Sequence, residues 1–518
     1  MLDYSKLRFL IIEDFAHFSS ALRGMVMFYG VPLENIQIAK DAEQAIPLLK
    51  KTRYDVVLSD YNLGEGRNGN DILEEAKHHK LLKSACLYIM LTAENSTDMV
   101  MGALEYQPDE YLTKPFTKEV LNARLERLIA RRDALLPIYR EIDKGHPVNA
   151  VKLCASLAAE HPRYKGYLLK LRSELLMELK AYDKCAELYE SLLQNKFVPW
   201  AELGLGKCFF YRDDFARAET HFRNILDQNS RYVQAYDWLA RAQRAQNDPE
   251  TAQQTLESGA AISPRNVRRQ TLLGELALAN GDLAVAEKAF NQSIKVGKTS
   301  VFRDPNHYFN LTEVIGERIK EADPRTAKRM QIKVGNLMDE VRKEYRRDSS
   351  VGVKSHLSES EFYQGLGDSK MAEQALQKAY DACVKKGADV SSRVKEQLLN
   401  SLNDAGKAEQ AQQLLQQMER EESAYNHEAV EHYAKGEIEQ ALKLLQKALV
   451  DKPRSFSINL NFAQVALRQM KEKGANPKLM AQVGQCFERV DSLSPDDKRY
   501  VHRQQLKALY EKMGGAQA

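Results

Sequence analysis

Small residues recur at intervals of 34 residues in the middle of this chain, and that spacing constrains its fold more than any other feature. The two series are Gly206, Ala240, Gly274 and Ala218, Ala252, Ala286. A fixed period of this length is typical of stacked helical hairpins, because each hairpin leaves an apolar face open and must bury it against the next. We therefore expect most of the chain to form an all-α solenoid.

The repeat units resemble tetratricopeptide repeats. The segment YDWLARAQRAQNDPETAQQTLESGAAISP (236–264) and the segment EAVEHYAKGEIEQALKLLQKALVDKP (428–453) carry small, aromatic and proline residues at the offsets of that family. The resemblance covers about 133 to 500. We expect a first part of the array over 133–298, an irregular helical interruption over 299–355, and a second part with a capping helix over 356–510.

Composition favours a globular protein in a reducing compartment. The 518 residues are 43% hydrophobic and 28% charged, and no apolar run is long enough to cross a membrane. The six cysteines are scattered, which argues against a zinc ribbon or a disulfide framework. The charged N-terminus MLDYSKLRF is unlike a signal peptide. We therefore expect a cytoplasmic protein without membrane insertion.

The charge of the chain argues against nucleic acid as the main partner. Residues 1–125 carry 14 Lys and Arg against 18 Asp and Glu, and the whole chain has a net charge of only +3. No helix-turn-helix pattern follows the first 125 residues. We expect no direct DNA binding, and RNA binding is the least favoured of the functions considered.

The first 125 residues alternate short apolar runs with amphipathic stretches. The runs are FLII (9–12), NIQIA (35–39), VVLSD (56–60), LYIML (87–91) and EYL (110–112). Strands that alternate with helices in this way predict βαβ units and a parallel sheet covered on both faces. Functional residues of such sheets lie at the carboxyl ends of the strands.

Polar residues with matching chemistry follow four of these strands. Each one alone would usually be a turn or helix-cap residue, but together they form a set. The set is Glu13 and Asp14 after the first strand, Asp60 at the end of the third, Thr92 after the fourth, where the small residue Ala93 follows it, and Lys114 after the fifth. Clustered carboxylates repel one another unless a cation intervenes, and oxygen ligands suit Mg²⁺. A nucleophile, a metal and an ammonium are the equipment for phosphoryl transfer to a carboxylate.

The motifs IIED (11–14), VVLSDYN (56–62), MLTA (90–93) and YLTKPF (111–116) together resemble the receiver domain of bacterial response regulators. The resemblance implies a flavodoxin-like sheet in the order 2-1-3-4-5, ahead of the all-α array. It also implies roles for single residues: Asp60 as phosphoacceptor, Glu13, Asp14, Asp60 and the Asn62 carbonyl as Mg²⁺ ligands, Thr92, Ala93 and Lys114 as phosphoryl-binding residues, and Tyr111 as an aromatic switch.

One loop departs from the family pattern. Position 64, where the family usually has proline, is Gly64, and the next glycine of the family pattern falls one residue late, at Gly69. Extra glycine predicts a more mobile loop and an altered lifetime of the phosphoryl group. It removes no catalytic group.

Arrays of this kind bind peptides, helices or domains on their concave surface. Six first-helix residues would line that surface: Trp200, Lys207, Phe210, Arg241, Arg244 and Arg268. Each alone is more simply explained as interhelical packing or as a solvated arginine. As a set they indicate an aromatic and basic groove for an acidic partner.

The two parts together predict a two-component response regulator whose output is protein binding. A sensor histidine kinase would phosphorylate Asp60, and a continuous helical connector over 117–136 would transmit the change to the array or expose a homodimer face on the receiver. One alternative is a phosphate sink that docks a kinase and hydrolyses the phosphoaspartate. Another is a scaffold whose receiver is unused. Beyond Mg²⁺-dependent chemistry at Asp60 we expect no enzyme activity, because no P-loop, dinucleotide fingerprint or G-x-S-x-G motif is present.

Overall fold

The computed structural model describes residues 3–93, 107–194, 196–453, 455–474, 476–491, 493, 497 and 499–513. The chain forms two compact units, Met1–Val314 and Ile315–Ala518. The first unit contains an α/β domain followed by helical hairpins, and the described residues of the second unit are helical or lie in connecting turns.

A parallel five-stranded sheet forms the centre of the α/β domain, in the order β2-β1-β3-β4-β5. The strands are β1 Phe9–Ile12, β2 Ile36–Ala39, β3 Val56–Asp60, β4 Leu87–Thr92 and β5 Glu110–Thr113. Every residue of β1, β3 and β4 is buried, because helices cover both faces. The predicted α/β fold class and strand order are confirmed.

Four described helices belong to this domain: α1 Ala16–Phe28, α2 Ala42–Lys51, α3 Gly69–His78 and α4 Lys118–Ala134. Helix α3 begins with a capping box, in which the Asn68 side chain accepts from the Asp71 N–H at 3.1 Å and the Asp71 carboxylate accepts from the Asn68 N–H at 2.9 Å. The Thr117 hydroxyl accepts from the Val120 N–H at the start of α4.

The connector predicted over 117–136 consists of two helices. Helix α4 ends at Ala134, and after Leu135 the short helix α5 runs over Leu136–Asp143. Pro137 lies in the first turn of α5. Because proline has no N–H to continue the hydrogen-bond ladder of α4, the chain restarts here.

Helical hairpins follow α5 to the end of the first unit. Their helices are α6 Pro147–Glu160, α7 Lys165–Glu178, α8 Tyr182–Leu193, α9 Pro199–Phe210, α10 Phe215–Gln228, α11 Val233–Ala245, α12 Pro249–Ile262, α13 Val267–Ala279 and α14 Leu283–Gly297. Helix α15, Asn306–Arg318, crosses the boundary between the units.

The second unit continues with longer helices. They are α16 Pro324–Glu344, α17 Ser349–Gly365, α18 Ser369–Lys386, α19 Ser392–Asp404, α20 Ala408–Ala434, α21 Ile438–Asp451, α22 Phe456–Lys473, α23 Pro477–Arg489 and α24 Tyr500–Lys512. Residues 299–355, predicted to be irregular, contain α15, α16 and the start of α17. No helix in the described part of the chain is long and apolar enough to pass through a bilayer.

The turns within the hairpins repeat with the same period of 34 residues. The residue that enters the turn has a positive φ in three successive hairpins, at Asp213, Asn247 and Gly281. The next residue is an aspartate each time, and its side chain caps the second helix; these are Asp214, Asp248 and Asp282. Such a left-handed residue followed by a capping acid reverses the chain and satisfies the exposed N–H groups of the new helix.

The small residues at this period allow the two helices of a hairpin to approach closely. A Cβ atom added to Gly206 would lie 2.5 Å from the Phe222 ring, and one added to Gly274 would lie 2.7 Å from the Phe290 ring. The glycine of the first helix therefore makes room for an aromatic ring of the second.

The substitution Gly206→Ala tests this packing. We expect it to lower the free energy of unfolding by about 1–3 kcal/mol, because the new methyl group overlaps Phe222 and forces the hairpin apart. The control is Gly335→Ala in the middle of α16, where the added Cβ meets nothing within 4 Å. That change should stabilise by about 0.5–1 kcal/mol through helix propensity. Calorimetric unfolding measures both, and equal effects would contradict the packing role of Gly206.

Candidate functional site

Three carboxylates meet at the carboxyl edge of the sheet. Oxygen atoms of Glu13, Asp14 and Asp60 all lie within 4.8 Å of one another. Glu13 is 3% exposed and Asp60 7%, whereas Asp14 is open to solvent. The neighbouring central strands β1 and β3 bring the acids together, because residues that follow adjacent parallel strands emerge at the same edge.

The Lys114 ammonium joins two of these acids. Its Nζ lies 2.8 Å from Glu13 Oε2 and 2.9 Å from Asp60 Oδ2. The Lys114 N–H donates to the Thr92 carbonyl at 2.7 Å, which fixes the backbone of the lysine to the end of β4. The side chain also passes over the Phe18 ring, with Nζ 4.2 Å from its centroid. The lysine is therefore held in place from three directions.

The electrostatics of Glu13 reflect this crowding. Burial raises the pKa of the Glu13 carboxyl, the hydrogen bond from Lys114 lowers it, and the negative charge of Asp60 raises it again. An additional cation would relieve the repulsion among the acids. The donor set consists of carboxylate oxygens, with the Asn62 carbonyl nearby in sequence, and such hard oxygen ligands fit Mg²⁺.

The loop after β3 passes close to these acids. Gly64 has φ +78°, and a Cβ there would lie 3.4 Å from Asp14 Oδ2. Gly69 lies against the backbone of the acceptor strand, so that a Cβ would lie 2.3 Å from the Asp60 carbonyl oxygen. Gly69, which lies one residue later than the corresponding glycine of the family pattern, thus allows α3 to begin directly beside Asp60.

Tyr111, the predicted switch residue, is half-buried on β5. Its ring packs against the buried cluster that contains Met90 and Tyr88, and burial raises the pKa of its phenol. The hydroxyl is buried and has no hydrogen-bond partner among the residues that the structure describes.

A cleft of about 1080 Å³ opens above Asp60. Its lining includes the predicted residues Glu13, Asp14, Asp60, Asn62, Ala93 and Lys114. It also includes Arg265, which lies between α12 and α13 of the helical array. Thr92, at the end of β4, is 9% exposed and hydrogen-bonded through its backbone to Lys114.

The array contacts α3 of the α/β domain directly. The buried Glu74 carboxylate accepts hydrogen bonds from Ser300 Oγ at 2.5 Å and from the Val301 N–H at 3.3 Å. The His78 and Phe302 rings meet edge to face, with centroids 5.3 Å apart. The Arg268 guanidinium lies 3.7 Å from the centroid of Phe302. Arg268, predicted to face a partner, thus stacks on the loop that contacts α3.

A second contact joins the α/β domain to the first hairpins. Asp143 accepts from both the N–H and the hydroxyl of Ser84, at 3.0 and 2.7 Å. Lys170 Nζ donates to the Gln107 side chain at 3.2 Å. Within the first unit, the early array and the α/β domain are therefore packed against each other at two separate places.

The other predicted groove residues fall into two groups. Lys207 and Arg241 both lie over the ring of Trp238, at 5.0 and 5.4 Å from its centroid. Arg244 lies 4.0 Å from Glu275. Trp200 packs edge-on against Tyr189, and Phe210 packs edge-on against Trp238 and Phe215. The two aromatic residues thus contribute to packing between helices, and two of the basic residues, Lys207 and Arg241, lie over Trp238.

Sequence reasoning missed Trp238, Glu74, Ser300 and Arg265. Trp238 lies within a quoted repeat and could have been found from its position two residues after the Tyr236 of the motif. The Glu74–Ser300 contact joins residues 226 positions apart. No spacing rule indicates such a pair, and none indicates that Arg265 reaches the cleft.

Comparisons with known proteins agree with both resemblances. The family described as "Response regulator receiver domain" matches residues 9–126, and the family described as "Tetratricopeptide repeat" matches residues 209–276. "Chemotaxis protein CheY-3" of Vibrio cholerae serotype O1 is 30% identical over 125 residues, which cover 24% of this chain and 93% of that protein. "Chemotaxis protein CheY" of Pseudomonas aeruginosa is 28% identical over 125 residues, 24% of this chain and 98% of that protein.

A solved structure is similar over the same region. It is the signal receiver domain of a signal transduction histidine kinase from Syntrophus aciditrophicus, with 25% sequence identity and a TM-score of 0.22. The match covers 24% of this chain and 90% of that one. The two family matches, over residues 9–126 and 209–276, confirm the predicted resemblance to receiver and tetratricopeptide families.

The substitution Lys207→Met tests the electrostatics around Trp238. Burial lowers the pKa of Lys207 from its ordinary 10.5 to about 8, so the charged lysine destabilises the fold at pH 7. We expect the variant to be more stable by about 1–2 kcal/mol at pH 7. The advantage should shrink between about pH 8 and 10.5, where the folded chain has released the proton that the unfolded chain still holds.

Urea unfolding at neutral and alkaline pH measures this difference. The control is Lys184→Met at an exposed position of α8, which should change the free energy of unfolding by less than about 0.5 kcal/mol. A clear loss of stability in Lys207→Met at pH 7 would contradict the assignment of a destabilising buried charge.

Proposed function

The chain belongs to the response regulator family through its receiver domain, and on that premise we propose that a sensor histidine kinase phosphorylates Asp60 and that the array binds a protein partner as the output. The observation that carries the proposal is the Lys114 ammonium, placed within 3 Å of both Glu13 and Asp60. A buried nucleophile paired with a cation at the carboxyl edge of a parallel sheet is suited to accepting a phosphoryl group.

The Asp60 carboxylate is the nucleophile. One of its oxygens forms a bond to phosphorus while the bond from phosphorus to the imidazole nitrogen of the donor breaks, and that nitrogen keeps the electron pair. The Lys114 ammonium neutralises negative charge on the transferred group, and its attachment to the Thr92 carbonyl keeps it at the site. The Thr92 hydroxyl, on the adjacent strand end, would donate a hydrogen bond to a phosphoryl oxygen.

Mg²⁺ fits the remaining oxygen atoms. Glu13, Asp14, Asp60 and the Asn62 carbonyl would hold it, because the three acids already lie within 4.8 Å of one another and Asp14 is open to solvent. When bound, the ion supplies positive charge that stabilises the phosphoryl oxygens.

The array supplies a basic and aromatic surface for an acidic partner. Lys207 and Arg241 both lie over the Trp238 ring, and burial lowers the pKa of Lys207 to about 8. The receiver contacts the same series of hairpins through Ser300 and Lys170, so a change at α3 can reach the array without an intervening linker.

Phosphate labelling tests the acceptor. We expect the purified protein to take up one phosphoryl group from acetyl phosphate when Mg²⁺ is present, and Asp60→Asn to take up none, because the amide is not a nucleophile for phosphorus. The matched control is Glu65→Gln, an exposed acid on the loop after β3, which should label like the wild type. Label on Asp60→Asn would contradict the assignment. Fast loss of label with unchanged partner affinity would instead favour a phosphate sink.

Mg²⁺ binding is tested through stability. We expect Mg²⁺ at ten times its dissociation constant to raise the free energy of unfolding by about 1.4 kcal/mol. The variant Asp14→Asn should lose most of this gain, because it removes the solvent-facing carboxylate ligand. Thermal unfolding with and without Mg²⁺ measures the gain, with Glu65→Gln again as the control. An equal gain in Asp14→Asn would contradict the proposed ligand set.

A further inference from the structure

We propose that Arg265, contributed by the tetratricopeptide array, binds the phosphoryl group that Asp60 carries. The inference rests on the proposed phosphorylation of Asp60 and adds a residue from outside the receiver to the groups that hold the phosphoryl. Arg265 would contact the transferred group as a positive charge and hydrogen-bond donor, and not as a nucleophile or a proton donor.

The cleft above Asp60 places the two residues around one space. Its lining combines the receiver residues Asp60, Asn62 and Lys114 with Arg265, the one array residue among the described residues that line it. The cleft of about 1080 Å³ is large enough to admit a phosphodonor beside the acceptor. Arg265 thus lines the same cleft as the carboxylate that would carry the phosphoryl group.

The loop that carries Arg265 is rigidly held. Arg269, only 2% exposed, donates from Nη1 to the Ser263 carbonyl at 2.8 Å. It also forms a two-pronged ion pair with Asp237, with distances of 2.7 and 2.8 Å. The Pro264 carbonyl accepts from the Gln270 side chain at 3.0 Å. A charge on so fixed a loop needs little ordering when it binds a ligand.

The neighbouring loop of the array holds this region against the receiver. Ser300 and Val301 donate to the buried Glu74 carboxylate in the middle of α3. Arg265 lies near the beginning of the same helix, where its positive charge lowers the pKa of Asp71, although burial raises that pKa to about 6 overall. The guanidinium is thus kept close to α3, whose first residue, Gly69, lies against the Asp60 backbone.

The charge of Arg265 is available to a ligand. The side chain is exposed, and within the described part of the chain no carboxylate forms an ion pair with it. Phosphorylation replaces the single negative charge of Asp60 with about two and adds oxygen acceptors. A guanidinium is well suited to such a group, because its planar donors can bind two phosphoryl oxygens at once.

The contact would determine how phosphorylation changes the packing between the array and the receiver. An added negative charge at Asp60 attracts a residue of the array, so the phosphorylated state would tighten the packing of the array on α3. The array would in turn slow the loss of the phosphoryl group.

The experiment uses the full chain and beryllium fluoride with Mg²⁺, which forms a stable mimic of the aspartyl phosphate. The variants are Arg265→Gln, Arg265→Lys and Arg231→Gln. Arg231 is the matched control, because it is an exposed arginine at the same position of the preceding repeat and does not line the cleft. Calorimetric titration gives the dissociation constants, and retention of label after acetyl phosphate treatment gives the phosphoryl lifetime.

We expect Arg265→Gln to weaken beryllium fluoride binding about three- to tenfold, as for a partly solvated charged hydrogen bond. It should shorten the phosphoryl lifetime by a similar factor. Arg265→Lys should recover part of both, and Arg231→Gln should equal the wild type. Raising the salt from about 0.05 M to about 0.5 M should bring the wild type closer to Arg265→Gln, a change that a purely structural role of the side chain would not produce.

Several outcomes would overturn the proposal. If Arg265→Gln binds and retains the group like the wild type, Arg265 has no such role, while phosphorylation of Asp60 stands. If Arg231→Gln weakens binding equally, the effect is one of general charge and the proposal fails. If the wild type neither takes label from acetyl phosphate nor binds beryllium fluoride, the proposed function fails and this inference fails with it.

Discussion

The pairing of one ammonium with two buried carboxylates is the interaction on which the receiver site depends. Glu13 and Asp60 carry like charges in a site largely closed to water, and Lys114 lies within 3 Å of each. Without that cation the two acids would repel each other and favour protonation. The Lys114 N–H donates to the Thr92 carbonyl, which holds the lysine at the end of β4. The order of the strands therefore places the ammonium beside the two acids.

The sequence predicted this region well, for physical reasons. Burial of β1, β3 and β4 on both faces requires unbroken apolar runs, and such runs are visible without a structure. The polar residue after each run, such as Asp60 or Lys114, then marks the functional edge. The repeat period was equally visible, because the space between hairpin helices admits only a small residue at Gly206 and Gly274. Both features recur at regular positions along the chain, so they can be recognised from the sequence alone.

Contacts between distant segments could not be predicted, because no sequence pattern marks them. Glu74 looked like an ordinary helix acid, yet it is buried because Ser300 and Val301 donate to it. The predicted continuous connector overlooked the effect of Pro137, which lies just beyond its end. In each case the structure depends on a particular residue outside the segment for which the prediction was made. Composition and residue spacing do not indicate that residue.

The positions of the tryptophans have a practical consequence. The chain has two, Trp200 and Trp238, and both belong to the early hairpins, so the receiver contains none. Trp238 lies beneath two cationic side chains, an arrangement that makes indole emission sensitive to small displacements of charge. Indole emission from the native chain therefore originates only in the helical part. If phosphorylation at the sheet edge changes this emission, the change must have been transmitted from the receiver to the helical array. The intrinsic fluorescence of the two tryptophans therefore reports on communication between the two domains.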